Sequence, residues 1–175
     1  MLFMARLSRV VLPGYPHHIT QRYNRRQDVF FSDSDYEYYL ELLKHWSKKF
    51  NVEVWAYFLM TNHIHLILCP HEKETMSRML AEVHRRYTRM INFRNNWRGF
   101  LWQGRFFSYP LDKKHLLKVA AYVELNPVKA KMVENPQDYR WSSVHAHIKG
   151  FDDDGIIEAQ KLLATCGDWR TYLES

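Results

Sequence analysis

Residues 63–70, His-Ile-His-Leu-Ile-Leu-Cys-Pro, leave this chain few folds to choose from. From Leu66 to Cys69 the run is apolar, and Pro70 stops it. A short apolar run closed by proline reads as a buried strand. Side chains alternate faces along a strand, so Ile64, Leu66 and Leu68 point one way and His63 and His65 the other. Two neutral imidazoles on a rigid strand can chelate one divalent metal and leave its far side open. The alternative is two partly exposed histidines on a solvated sheet face.

The flanking segments supply the rest of a sheet. His18–Tyr23 alternates and predicts a first strand, entered from Pro13-Gly14 and Pro16. Ser32-Asp33-Ser34-Asp35 offers helix caps, and Tyr36, Tyr39, Leu40, Leu43 and Phe50 follow at helical spacing, giving a helix to about residue 49. Residues 52–58 form a second strand, linked by Met60-Thr61-Asn62 to the His63 strand in an antiparallel hairpin. A long amphipathic helix spans roughly residues 74–94, with Met76, Met79, Leu80, Val83, Tyr87, Met90 and Ile91 as its apolar stripe. Arg78, Arg85, Arg86 and Arg89 lie off that stripe. A fourth strand falls within residues 102–111, and Asp112 caps a helix to about Leu125. This order predicts an α+β fold: a ferredoxin-like antiparallel sheet (βαββαβ) with an added C-terminal tyrosine-bearing helix. Two helices cover one sheet face, and the histidine face is left for a ligand or the last helix.

Charge is unevenly spread. Residues 151–175 hold two basic and six acidic side chains, net −4, so the 25 basic and 19 acidic groups of the chain leave residues 1–150 with 23 against 13, net +10. So basic a body favours a polyanionic partner, nucleic acid being the usual one, against ordinary solubility charge as the alternative. The 175 residues suit one domain with decoration: a basic body over 1–150 and an acidic tail with a short helix over 151–175. No apolar run approaches a bilayer span, and the apolar part of the opening Met-Leu-Phe-Met-Ala-Arg-Leu is too short for a secretory signal. With only Cys69 and Cys166, and Cys69 in a core strand, a disulfide framework is not expected, and the reading is a cytoplasmic protein.

A metal held by two histidines needs further ligands and a reaction to serve. Tyr122 and Asn126 are four apart and project from one side of the last helix. Asn126 precedes Pro127, which predicts the helix end there. Five segments then occur in order: His17-His18-Ile19-Thr20-Gln21-Arg22; Thr61-Asn62-His63-Ile64-His65-Leu66-Ile67; Leu101-Trp102-Gln103-Gly104-Arg105-Phe106; Tyr122-Val123-Glu124-Leu125-Asn126-Pro127-Val128-Lys129-Ala130; and Tyr139-Arg140-Trp141-Ser142-Ser143. In these the chain resembles the HUH single-strand transposases with one catalytic tyrosine, and most closely the REP-associated tyrosine transposases of bacteria. His145-Ala146-His147 falls beyond the last segment and reads as incidental.

The resemblance implies cleavage and rejoining of single-stranded DNA at REP-type hairpins. It makes Tyr122 the nucleophile and His63 and His65 ligands of Mg²⁺ or Mn²⁺. Asn126 stands as the third ligand, where insertion-sequence relatives have glutamine. Arg78, Arg85, Arg86, Arg89 and Arg105 are the expected DNA contacts, and aromatics near Arg105 and Phe106 either stack on unpaired bases or belong to the core. No nucleotide cofactor and no membrane are expected, and the chain would act as a monomer or homodimer. Three other readings stay open: a hairpin-binding regulator without catalysis, a relaxase-like or replication-initiator nickase, and a Zn²⁺ hydrolase, for which no third histidine is evident.

Overall fold

The computed structural model describes residues 10–23 and 27–175, so the opening heptapeptide lies outside the described residues. Strand β1 (His17–Arg22) leads to helix α1 (Asp33–Lys49), strands β2 (Val52–Leu59) and β3 (His63–Pro70), helix α2 (Thr75–Asn95), strand β4 (Phe107–Pro110) and helix α3 (Lys113–Lys129). A 3₁₀ turn (Pro136–Asp138) and three short helices, α4 (Val144–Lys149), α5 (Gln160–Cys166) and α6 (Trp169–Glu174), complete the chain. The four strands form one antiparallel sheet in the order β2-β3-β1-β4, the arrangement that the βαββαβ order predicts.

The register settles the faces. Across β1 and β3, Thr20 pairs with His65 and Arg22 with His63, while Ile19 pairs with Leu66 and Gln21 with Ile64. Directly paired residues share a face. Ile19, Ile64, Leu66 and Leu68 therefore meet α1 and α2, and each is fully buried. The two covering helices are tied at one end: Arg94 near the end of α2 makes a bidentate pair, 2.6 and 3.0 Å, with the buried Asp35 of α1. The Asp35 carboxylate also accepts from the backbone N–H groups of Phe31 and Ser32, which caps α1 at the predicted place.

Helix α3 lies on the opposite face, over β2 and β3. It does not stop at Leu125. Pro127 is buried within it, and the helix continues because the carbonyls of Asn126 and Pro127 accept from the N–H groups of Ala130 and Met132. The proline removes one donor, but these later bonds still close the last turn.

Residues 139–143 protect the outer edge of the sheet. Leu59 N donates to Trp141 O at 2.9 Å, Ser143 N donates to Tyr57 O at 3.0 Å, and Tyr139 Oη donates to Leu59 O at 2.7 Å. Trp141 also stacks on Tyr36 with ring centroids 4.6 Å apart. An edge strand that would otherwise show a row of free backbone groups is thereby paired.

Candidate active site on the sheet face

The face of the sheet beneath α3 gathers four aromatic side chains from three elements. His63 and His65 come from β3, His18 from β1 and Tyr122 from α3. The His63 and His65 rings lie 5.0 Å apart, edge to face. His18 stacks on His65 at 5.2 Å, with His18 Nε2 and His65 Nδ1 hydrogen-bonded at 3.0 Å. The Tyr122 ring stands edge-on to both, 6.1 Å from His65 and 6.5 Å from His18. Tyr122 is 44% exposed. Lys129, two turns later on α3, holds its ammonium 4.9 Å over the Tyr122 ring.

The electrostatics follow from burial among like groups. Burial, then the positive charge that His18, His63 and Arg22 would place beside it, pushes His65 down to about 3. Burial and then Arg22 lower His63, and burial lowers His18. All three rings are therefore neutral near pH 7, the form in which imidazole offers a lone pair. His63 Nδ1–H donates to Asn62 Oδ1 at 2.6 Å, which leaves its Nε2 as the acceptor nitrogen. The bond between His18 and His65 orients the second ring in the same manner. A ligating imidazole held through its other nitrogen is the usual construction of a metal site. The donor set thus suits a divalent ion completed by oxygen ligands. Among the described residues no group of three His, Cys, Asp or Glu side chains is placed to hold a metal.

The other predicted residues divide between two places. Asn126 is half-buried one turn after Tyr122, its Nδ2 donating to the Tyr122 carbonyl at 3.4 Å. Arg78, Arg85, Arg86 and Arg89 are exposed on α2, hence on the helical layer behind the sheet and not on the histidine face. Arg85 and Arg86 both pair with Glu82, and the guanidinium of Arg86 lies 4.7 Å over Trp46. Arg105 is exposed in the loop that leads into β4.

His18 is the residue that the sequence reading missed. Its signal was present: His18, Thr20 and Arg22 alternate as His63 and His65 do, and pairing of the two strands puts both sets on one face. His147, read as incidental, is a structural residue. Its side chain is 1% exposed, and Nδ1 donates to Oε1 of the fully buried Glu124 at 2.6 Å.

A solved REP-associated tyrosine transposase bound to a REP hairpin shares this fold at a TM-score of 0.71 and 21% identity, over 83% of this chain and 86% of that one. A bacterial tRNA(His) guanylyltransferase-like protein in complex with GTP shares it more distantly, at a TM-score of 0.50 and 8% identity, over 70% of this chain and 66% of that one. Fold alone therefore does not choose the chemistry. In sequence, a Haemophilus influenzae protein assigned to the REP-associated tyrosine transposases is 29% identical over 108 residues, 55% of this chain and 61% of that protein. The chain thus spans less than two thirds of that relative's length. The family described as "Transposase IS200 like" matches residues 13–126, a stretch that runs from the turn before β1 through His63, His65 and Tyr122 to Asn126, and the chain belongs to that family.

Proposed function

We propose that this protein cleaves and rejoins single-stranded DNA beside a REP-type hairpin, with Tyr122 as the nucleophile. One observation carries the reading: α3 packs on its own sheet and brings Tyr122 edge-on to His65 and His18, 6.1 and 6.5 Å between ring centroids. In this reading the tyrosine serves the histidines of its own chain.

The Tyr122 oxygen attacks the scissile phosphorus. A Tyr–O–P bond forms as the bond from phosphorus to the 3′ oxygen breaks. The phenolic proton is released, the departing 3′ oxygen takes up a proton, and the DNA 5′ end is left as a phosphotyrosine. The covalent link conserves a phosphodiester, so a 3′-hydroxyl reverses the step without ATP. Mg²⁺ or Mn²⁺ on His63 and His65, with Asn126 as a third, oxygen-bearing ligand, would neutralise the scissile phosphate and align it for in-line attack. His18 and Asn62 orient the two ligating rings, and α3 sets the approach of the phenol.

The test is covalent capture. A labelled hairpin oligonucleotide with single-stranded flanks, incubated with protein and Mn²⁺, should yield an adduct stable to denaturation. Tyr122→Phe removes only the hydroxyl and should abolish the adduct while hairpin affinity stays within about twofold. His63→Ala should lose the Mn²⁺-dependent adduct and keep binding. Hairpin binding with no adduct in the unaltered protein would mark a regulator without catalysis, and an adduct that persists in Tyr122→Phe would sink the choice of nucleophile.

A further inference from the structure

Behind the sheet, on the face away from Tyr122, a cleft of about 620 Å³ opens between α2 and residues 99–106. Leu80, Ala81 and His84 of α2 form one wall, and Leu101, Trp102 and Phe106 form the other. Its lining is mostly apolar, yet Arg85 and Arg105 both border it. Phe100, also at the border, is 90% exposed, an unusual position for a phenylalanine. In the wall, Trp102 stacks on His84 with ring centroids 4.5 Å apart, while its indole N–H is buried with no acceptor among the described residues. A buried donor without an acceptor is costly and invites explanation. Arg105 makes no ion pair among the described residues, and from it a second groove continues past Ser77 and Arg78 to Lys73.

The position ties this cleft to the chemistry on the other face. Gln21 lines it and donates through Nε2 to Gln103 O at 3.1 Å. Next to it, Gln103 N donates to the carbonyl of Arg22, the residue paired with His63. The cleft and His63 therefore lie at one end of the sheet, on opposite faces. On the histidine face of the neighbouring edge strand β4, Phe107 and Tyr109 are 64% and 59% exposed. Apolar walls with arginines at the border and exposed aromatics on the way are the features that hold unpaired bases: rings stack, and phosphates meet guanidinium groups.

We propose that the cleft between α2 and residues 99–106 receives one unpaired base from the single-stranded flank of the DNA, holding it behind the sheet while the chain passes round the β1–β4 end to Tyr122. The base lies against Ala81 of the α2 wall and against Leu101 and Phe106 opposite, with Phe100 closing over it. Arg85 and Arg105 hold the adjoining phosphates. This inference rests on the single-strand reading above and extends it to a site that selects where the strand is cut.

Ala81 is exposed and lines the cleft, so Ala81→Trp fills the space with little strain on the fold. The experiment measures affinity of the full chain for a hairpin with single-stranded flanks whose flank positions are replaced one at a time by an abasic site. In the unaltered protein one position should cost about tenfold or more, as expected for loss of a stacked base. In Ala81→Trp that same replacement should change affinity less than about twofold, because the base is already excluded. Arg105→Ala should weaken binding of the flanked hairpin and leave a blunt hairpin unchanged. If the hairpin binds but no flank position distinguishes the two proteins, the cleft is not a base site. Binding of a free deoxynucleoside monophosphate that Ala81→Trp blocks, with a flat abasic series, would make it a nucleotide site and also overturn the proposal. Failure of the unaltered protein to bind any hairpin at low salt would instead remove the single-strand reading, and the cleft's assignment with it.

Discussion

His65 and His147 are both almost fully buried, 6% and 1% exposed, yet one sits among bases and the other against an acid. His65 has His18, His63 and Arg22 around it. His147 has Glu124, whose Oε1 also accepts from the Ser143 hydroxyl and whose Oε2 accepts from Trp169 Nε1 at 2.6 Å. The first arrangement keeps imidazole neutral and its lone pair available, at the expense of stability. The second spends every acceptor of a buried carboxylate on binding one segment to another. Glu124 is two residues from Tyr122, so one helix carries the proposed nucleophile and the anchor that holds it. Side chains two apart on a helix point to well-separated sides, which lets α3 face the histidines with one and the C-terminal segment with the other.

If this division is right, removing the anchor should act on stability and removing the bases on chemistry. The largest effect is expected from truncation after Gly150. It deletes Trp169, which is 1% exposed, and Leu162, which is fully buried, and uncovers Glu124. The melting temperature should fall by more than about 10 °C, given losses of several kcal/mol in a domain of this size. A truncated chain that melts as the full chain does and cleaves faster would instead make residues 151–175 a restraint on the basic body.

Point changes sharpen the contrast. Glu124→Ala leaves two buried donors, His147 Nδ1–H and Trp169 Nε1–H, without their acceptor, and should cost about 3–5 kcal/mol while the folded fraction still forms the tyrosine adduct. His65→Ala should do the reverse: adduct formation down by about 100-fold or more, with melting shifted by only a few degrees. If both variants lose activity and stability in equal measure, the two clusters are not separate in role.

The architecture was legible because periodicity reports on burial. The alternation from His63 to Leu68 fixed the two faces of β3, the stripe from Met76 to Ile91 fixed α2, and the resulting order of elements allowed one sheet topology. The end of α3 was not legible, since the rule that proline excludes the helical conformation before it concerns local sterics, whereas Asn126 and Pro127 find donors further along the chain. The site was half legible. His63, His65 and Tyr122 are marked by spacing and resemblance, but His18 joins them only through the pairing of β1 with β3, a contact 47 residues apart in sequence. Glu124 and His147 show no pattern at all, because a buried acid within an apolar helix face and a histidine in a short helix become partners only in the folded chain.

His18 therefore offers a finer test. Its hydrogen bond to His65 makes it a positioning residue in the proposed reaction. His18→Ala should weaken Mn²⁺ affinity by about 10- to 100-fold, as loss of an orienting partner does elsewhere, and saturating Mn²⁺ should restore much of the adduct yield. Activity that no metal concentration restores would mean that His18 does more than orient its neighbour.

The smallest effect concerns a half-buried histidine, His84, which has neither an acid nor a reaction to serve. Its Nε2 is hydrogen-bonded to the Tyr39 hydroxyl at 3.1 Å, its ring packs on Trp102, and burial pushes it down to about 3 from 6.5. The unfolded chain then takes up a proton at this position near pH 6.5, and the native chain does not. Stability from this source is complete above pH 6.5 and is lost as pH falls from 6.5 towards 3. The slope it contributes is at most about 1.4 kcal/mol per pH unit. Melting temperature should therefore begin to fall near pH 6.5, before carboxylates titrate at about 4. His84→Leu removes the titrating group and should flatten the decline between pH 6.5 and 4.5, whatever it does to melting at neutral pH. An unchanged slope in that variant would place the acid sensitivity in other groups and leave His84 as packing alone.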